Sequence, residues 1–482
     1  MKKVRTRFAP SPTGFMHIGN LRTALYAYLY AKKNDGTFLL RIEDTDKERF
    51  VDGAVDVIYR TLKTSGIEID EGPLNGGAYG PYIQSLRSDA GIYRKYADEL
   101  IKKGGAYHCF CTKERLESLT DKNGIRTYDK HCLKLSAEET AKNLKDGLAY
   151  VVRQNIPKDT PTAYDDLVFG KINIDSNDLE DNILIKSDGM PTYNFANVVD
   201  DHLMDITHVI RGVEYLSSTP KYNLMYDAFG WERPVYIHLQ LIMKDATRKL
   251  SKRYGDANFE DFIAKGYLPQ AIVNYIALLG WSPKDNVEKM SLPELIENFS
   301  VDGLSRSSSI FDENKMRWLN SQYVKELTQE EFTCLAAPFI RHSKASAFDL
   351  SKIAALLHTR TEILSDIPGL IDFIAEYYDM DFDPTLFVNQ KWKTDQAVAK
   401  KILSLFLEEE KNTEFDEEAL HAFLPSLAEK YGYKKGQVLW CVRIAVTARA
   451  STPGGAVEML GLLGREESVK RIERALKSVA HI

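Results

Sequence analysis

Between Phe8 and Asn20 the chain reads FAPSPTGFMHIGN, two prolines, two glycines and a histidine placed between a strand-like run, VRTRF, and a helix-like run, LRTALYAYLYAKK. Pro10 and Pro12 remove backbone donors and end the strand, so the segment is a strand-to-helix junction. In an open parallel sheet such a junction lies outside the strand's carboxyl end, where ligands bind, and the helix N-terminus presents N–H groups and positive potential to phosphate. Gly14 and Gly19 let a bulky ligand approach the backbone, and His17 stands at the mouth. Neither G-x-G-x-x-G nor G-x-x-x-x-G-K-[ST] occurs here, which excludes the dinucleotide fingerprint and the P-loop. From this stretch alone, a phosphate cradle and a proline-stiffened turn with a surface histidine are both open.

The rest of the chain has three textures. Up to about residue 250, β-rich runs such as TFLLRIE, ILIKS and ITHVIR alternate with helical stretches such as RSDAGIYRKYADELIKK, the α/β pattern. Within it, residues 106–200 hold three of the five cysteines and many turn residues, and read as an insertion between 1–105 and 201–254. From 255 to 325 apolar residues recur at spacings of three and four, and from 326 to 482 a Leu-, Ala-, Glu- and Lys-rich amphipathic pattern predicts an all-α domain. Hydrophobic residues are 44% and charged residues 27%, the composition of a soluble globular chain. No run approaches 18 apolar residues, so no membrane partner and a cytoplasmic location are expected. A net charge of −6 argues against wholesale polyanion binding, and DNA is not expected as a partner; RNA depends on where the cations sit.

They gather in LIMKDATRKLSKRYG, where Lys244, Arg248, Lys249, Lys252 and Arg253 fall within ten residues, beside Ser251 and Gly255. A charge run alone is usually a solvated face. HIGN at a strand-to-helix turn, followed about 230 residues later by KLSKR, resembles the paired "HIGH" and "KMSKS" signatures of class I aminoacyl-tRNA synthetases. LLRIEDTDKER, GPYIQS, PTYNFANVVDDHLMDITHVIRG and MRWLNSQY extend the resemblance, to bacterial glutamyl-tRNA synthetases, along nearly the whole chain. Ile83, Leu86 and Tyr215 depart from residues common in that family.

The resemblance implies a Rossmann-like catalytic domain (1–105 and 201–254), an inserted acceptor-binding domain (106–200), an all-α stem-contact domain (255–325) and an all-α anticodon-binding domain (326–482). It implies ATP-dependent ligation of L-glutamate to the 3′ end of tRNA(Glu) through a glutamyl-adenylate, with Mg²⁺ accompanying ATP, by a monomer. Pro12, Gly14, His17, Gly19, Asn20, Lys249, Ser251 and Lys252 would bind ATP, with His17, Asn20, Lys249 and Lys252 catalytic. Arg7 and Arg211, helped by Tyr193, would grip the γ-carboxylate, with Ser11, Glu43 and Asn197 at the α-amino end.

The chemistry agrees. Attack of a carboxylate on the α-phosphate builds charge on phosphoryl oxygens, which N–H donors and cations stabilise without a protein nucleophile. An arginine fork captures a carboxylate bidentately, and glutamine would leave that charge uncompensated. Apart from the resemblance, Arg7 pairing with Glu43 or Asp44, and packing or capping roles for Tyr193 and Asn197, are the plainer readings.

Cys109, Cys111 and Cys132 suit tetrahedral Zn²⁺ if a fourth ligand exists. Many relatives have histidine where this chain has Lys134; related glutamyl-queuosine tRNA synthetases use a tyrosine matching Tyr128, so the implied set is Cys109, Cys111, Tyr128 and Cys132. The alternative is three reduced cysteines whose metal has been lost. Cys334 and Cys441 lie in helical stretches and are expected in the core. YGYKKGQVLWCVRIAVTARASTPGG offers aromatic and cationic residues for RNA bases, and is equally a buried helix flanked by basic residues.

Overall fold

The computed structural model describes residues 2–46, 51–120, 127–250 and 258–480; Ser251 and Lys252 therefore lie outside the described residues. The chain divides into two units, Met1–Phe262 with Ile272–Asp312, and Ile263–Ala271 with Glu313–Ile482.

In the first unit Arg5–Phe8 runs parallel to Thr37–Leu40, and helix Ile18–Lys33 is the crossover between them. That helix is buried on nearly every face, as an apolar core helix should be. His17 caps its start by accepting from the Gly19 N–H, and Lys32 and Lys33 close its last turn at the negative end of the helix dipole. A second β-α-β unit follows: His208–Gly212 and Val235–Leu239 pair in parallel, joined through helix Thr219–Phe229. The two units meet at Thr207, whose N–H donates to the Arg5 carbonyl and whose hydroxyl accepts from the Arg5 N–H. Tyr164–Asp166 extends the sheet beyond Val235–Leu239, and Gly170–Ile172 pairs with it antiparallel. Three carboxyl ends, at Phe8, Gly212 and Leu239, consequently lie side by side.

An antiparallel sheet of Ala106–Cys109, Val151–Gln154 and Ile183–Ile185 packs Ala106, Val152 and Leu184 with Phe195, Val199 and Phe229. RSDAGIYRKYADELIKK, one helical stretch by pattern, folds as two helices, Gln84–Asp89 and Ile92–Lys102, because Gly91 adopts φ 74° between them.

In the second unit every regular element described from Glu313 onward is helical. A Thr328–Glu331 capping box starts Gln329–His342. Leu350–Leu357, Gln396–Glu409, Glu417–Lys430, Lys435–Thr447 and Ala456–Ala480, interrupted at Gly464, share with it a core that includes Phe332, Ile353, Phe406, Leu424, Val442 and Ile472. Cys441 belongs to that core; Cys334 does not, and is exposed. Phe332, Ala336 and Ile340 mark the buried face of its helix, and position 334 sits about 200° around from Phe332. Among the described residues, no helix is long and apolar enough to cross a membrane.

Candidate active site

The three strand ends open on one cavity of about 450 Å³. Arg7 comes from the first strand, Arg211 from His208–Gly212, Ser11 and Pro12 from the junction, and His17, Gly19 and Asn20 from the helix start. Glu43 follows the second strand, Tyr193 opens helix Tyr193–Leu203, and Lys249 arrives from the cationic segment. Residues scattered over more than two hundred positions thus share one wall. Gly14, at φ 110°, and Asn197 are not among the residues lining it. Asn197 is 2% exposed, and its buried Nδ2 has no hydrogen-bond partner among the described residues.

His17 Nδ1 accepts from the Gly19 N–H at 3.0 Å, which places the imidazole proton on Nε2. A Cβ at residue 19 would stand 3.1 Å from Nδ1, so glycine keeps this cap unstrained. Met243 bridges Lys249, the Lys244 N–H donates to the Arg248 carbonyl, and the Leu250 N–H to that of Ile242. Asp245 accepts from the N–H groups of Thr247 and Arg248 and from Arg248 Nε at 2.6 Å. The Arg248 cation thereby serves the turn, while Lys249 lines the cavity.

Among the described residues, three arginines line the cavity; Arg22 is taken by the carbonyls of Leu279 and Gln240, and Arg7 and Arg211 are held differently from it and from each other. Arg7 pairs with Asp201, 194 residues away, at 3.2 Å, and not with Glu43 or Asp44. Asp201 also takes Arg41 at 2.8 Å, Arg41 reaches Glu43 at 3.0 Å, and Asp200 accepts from Arg87, Gln84 and Tyr93. Arg7, Arg41 and Arg87 balance Glu43, Asp200 and Asp201, all buried, in a neutral hydrogen-bonded network. Burial, opposed by Arg41 and Arg7, pushes the Glu43 carboxyl up to about 7.

Arg211, also buried, donates from Nε to His238 Nε2 at 3.2 Å and from Nη2 to the Thr219 hydroxyl at 2.6 Å. The rings of Tyr215, Tyr222 and Tyr236 lie 4.9 to 5.4 Å from its guanidinium carbon. Among the described residues it forms no ion pair. Sequence reasoning missed His238, Thr219 and Asp201. For His238 a signal existed: VYIHLQ sets a polar residue inside a buried apolar strand, where it must find partners.

Away from the cavity, the sulfurs of Cys109, Cys111 and Cys132 lie within 4.8 Å of one another, and the Tyr128 hydroxyl is 3.2 Å from Cys109 Sγ and 3.7 Å from Cys111 Sγ. Zinc–sulfur bonds of about 2.3 Å at tetrahedral angles put sulfurs about 3.8 Å apart, so the set fits that ion. The Cys132 hydrogen bond, then those of Tyr128 and Arg153, outweigh burial and hold the Cys109 thiol below its ordinary range.

Residues 3–318 match the family described as tRNA synthetases class I (E and Q), catalytic domain, and residues 331–476 match an anticodon binding domain. The chain is 52% identical to the glutamate–tRNA ligase of Clostridium botulinum strain Eklund 17B, covering 99% of each protein. It is equally 52% identical to that of Clostridium tetani, over 99% of this chain and 98% of the relative. A crystal structure of a glutamate tRNA ligase from Elizabethkingia meningosepticum, in complex with its amino acid, superposes with a TM-score of 0.85 at 34% identity, covering 99% of this chain and 100% of that one. A catalytic α/β domain carrying the paired signatures, an all-α anticodon-binding domain and this degree of identity mean that the chain belongs to the glutamate–tRNA ligase family of class I tRNA synthetases.

Proposed function

We infer that the protein ligates L-glutamate to the 3′ end of tRNA(Glu) at the expense of ATP. The α-carboxylate of glutamate attacks the α-phosphate and expels pyrophosphate; the 2′-hydroxyl of the terminal adenosine then takes the glutamyl group, releasing AMP. One observation carries the choice of amino acid: among the described residues, Arg211 is a buried cation on the cavity wall held only by neutral side chains through Nε and Nη2, with Nη1 unbonded, whereas both terminal nitrogens of Arg22 are taken by backbone carbonyls. A γ-carboxylate supplies the missing anion, and the amide of glutamine does not.

Around that contact, Arg7 adds N–H donors with its charge already matched by Asp201. Burial keeps the Tyr193 phenol protonated, ready to donate. Glu43 meets the α-ammonium with Ser11, both on the cavity wall, and Asn197, buried and not on that wall, serves the same α-amino end. His17 Nε2–H and Asn20, at the positive end of the first helix, donate to the phosphates. Lys249 and Lys252 neutralise the α-phosphate and the leaving group, Pro12 and Gly19 line the cavity, and Gly14 and Ser251 complete the ATP-binding set. Mg²⁺ arriving with ATP would offset further phosphate charge. Cys109, Cys111, Tyr128 and Cys132 would hold Zn²⁺, a closed structural site that cross-links the end of Ala106–Cys109 to the turn at His131–Lys134.

Residues 106–200 contact the acceptor end, 255–325 the stem and 326–482 the anticodon. Within the last, a cavity of about 660 Å³ lined by Trp392, Lys434, Lys435, Trp440 and Arg443 suits an unstacked base, and Trp440 Nε1 and Arg443 Nε are buried donors without partners among the described residues. A monomer in the cytoplasm suffices, because one chain supplies every assigned residue.

The test is glutamate-dependent exchange of pyrophosphate into ATP, with and without tRNA. Exchange with glutamate in the presence of tRNA(Glu) is expected. Exchange with glutamine instead would overturn the pocket assignment, and no exchange under any condition would overturn the enzymatic reading.

A further inference from the structure

We propose that Asp166 and His238 are positioning residues for glutamate selection, acting through Arg211. The proposal rests on the reading of Arg211 as the partner of the γ-carboxylate.

Asp166 sits where Tyr164–Asp166 pairs with Val235–Leu239. Its Oδ1 accepts from the N–H groups of Val168 and Phe169, both at 2.9 Å, and its Oδ2 accepts from the His238 N–H at 3.1 Å and from His238 Nδ1 at 2.7 Å. Four donors fix this carboxylate in place. With the imidazole proton on Nδ1, Nε2 is left as the acceptor that receives Arg211 Nε–H. Burial, reinforced by the Arg211 charge against the pull of Asp166, holds His238 below its ordinary range, so the ring is neutral. Thr219 completes the clamp: its hydroxyl donates to the Tyr215 carbonyl at 2.8 Å, which turns a lone pair toward Arg211 Nη2.

Two consequences follow. Nε and Nη2 are anchored, while Nη1 makes no hydrogen bond to any described residue, so the fork is oriented with donor capacity unspent. The carboxylate that anchors the ring, Asp166, stands one imidazole away from Arg211 and leaves the fork unoccupied. A carboxylate bonded directly to Arg211, as Asp201 is to Arg7, would compete with the γ-carboxylate and weaken discrimination against glutamine.

Asp166→Asn tests this without touching Arg211. An amide Nδ2 at the Oδ2 position faces the His238 ring, which must then accept through Nδ1 and carry its proton on Nε2, donor against donor with Arg211. In tRNA-dependent exchange, the glutamate KM should rise on the order of tenfold, the scale of one hydrogen bond to a charged group. The ATP KM should stay constant and the preference for glutamate over glutamine should fall. His238→Gln, which keeps a donor and an acceptor, should lie nearer wild type than His238→Ala. Thr219→Val should raise the glutamate KM where Thr219→Ser does not, and this pair decides if Asp166→Asn does not fold. An unchanged glutamate KM in folded Asp166→Asn, or glutamate and ATP KM moving together with Tm, overturns the proposal. Arg211→Ala separates the levels: a silent Arg211→Ala removes the reading of the pocket itself, whereas a damaged Arg211→Ala beside silent Asp166 and His238 variants removes the positioning role alone.

Discussion

The two flanks of the cavity carry the same residue type in opposite electrostatic settings. On the first-strand flank, Arg7 is one of three buried guanidiniums matched by three buried carboxylates. On the opposite flank, Arg211 is surrounded by an imidazole, a hydroxyl and aromatic rings, and the carboxylate of Asp166 reaches it only through that imidazole. Both arginines line the cavity, so position alone does not distinguish them. Their partners do. A cation paired within the fold is framework, because removing it strands a buried anion; a cation held by neutral groups is available to a charged ligand.

The comparison breaks most visibly at Arg7. Arg7→Ala should lower stability by about 3 kcal/mol, the low end for a broken buried pair, since Asp201 retains Arg41. Denaturant unfolding checks this, and an unchanged midpoint would mean that the network does not depend on Arg7. Arg211→Ala strands no carboxylate, so its unfolding midpoint should move less, while kcat/KM for glutamate should fall by about 10²-fold or more. Wild-type kinetics in that variant would erase the distinction between the flanks.

Glu43 sharpens the contrast through pH. Its carboxyl, pushed up to about 7 from an ordinary 4.5 mainly by burial, binds its proton more tightly in the folded state. The stability this contributes is complete below pH 4.5 and is lost as pH climbs through about 7. Ligand binding runs the other way, because only the carboxylate meets an ammonium: 1/KM for glutamate should rise with pH and level off above about 7. Glu43→Gln should flatten both profiles, and a retained break near neutrality would assign it to another group. The smallest effect is at Thr219→Ser, which deletes one buried methyl and should cost about 1 kcal/mol of stability with the glutamate KM unchanged. A raised KM there would mean that the methyl, and not the hydroxyl, orients Arg211.

Much of this site was legible in sequence because its parts carry local signatures. A proline- and glycine-punctuated strand-to-helix junction announces its own geometry, and a dense cationic segment its own chemistry; from these and the resemblance, Arg7, Ser11, His17, Asn20, Glu43, Tyr193, Arg211 and Lys249 were named, and all line one cavity. What stayed hidden was the pairing. Asp201 lies 194 positions from Arg7 and reaches it from helix Tyr193–Leu203, and Asp166 lies 72 from His238, brought to it by the parallel pairing of Tyr164–Asp166 with Val235–Leu239; neither tertiary contact is written in local sequence. Periodicity likewise identified the helical second unit, but not which face of Gln329–His342 turns inward, so Cys334 was placed in the core although its helix presents it to solvent. Gly91 divided a stretch whose pattern reads as continuous helix, since a positive φ leaves no periodic trace.

The most direct measurement is a crystal structure of the protein with L-glutamate bound. The account predicts γ-carboxylate oxygens about 2.7–2.9 Å from the Arg211 fork, with Nη1 newly engaged and the contacts of Arg211 to His238 and Thr219 kept. A γ-carboxylate bound away from Arg211, or an Arg211 that must leave His238 to reach it, would contradict the account.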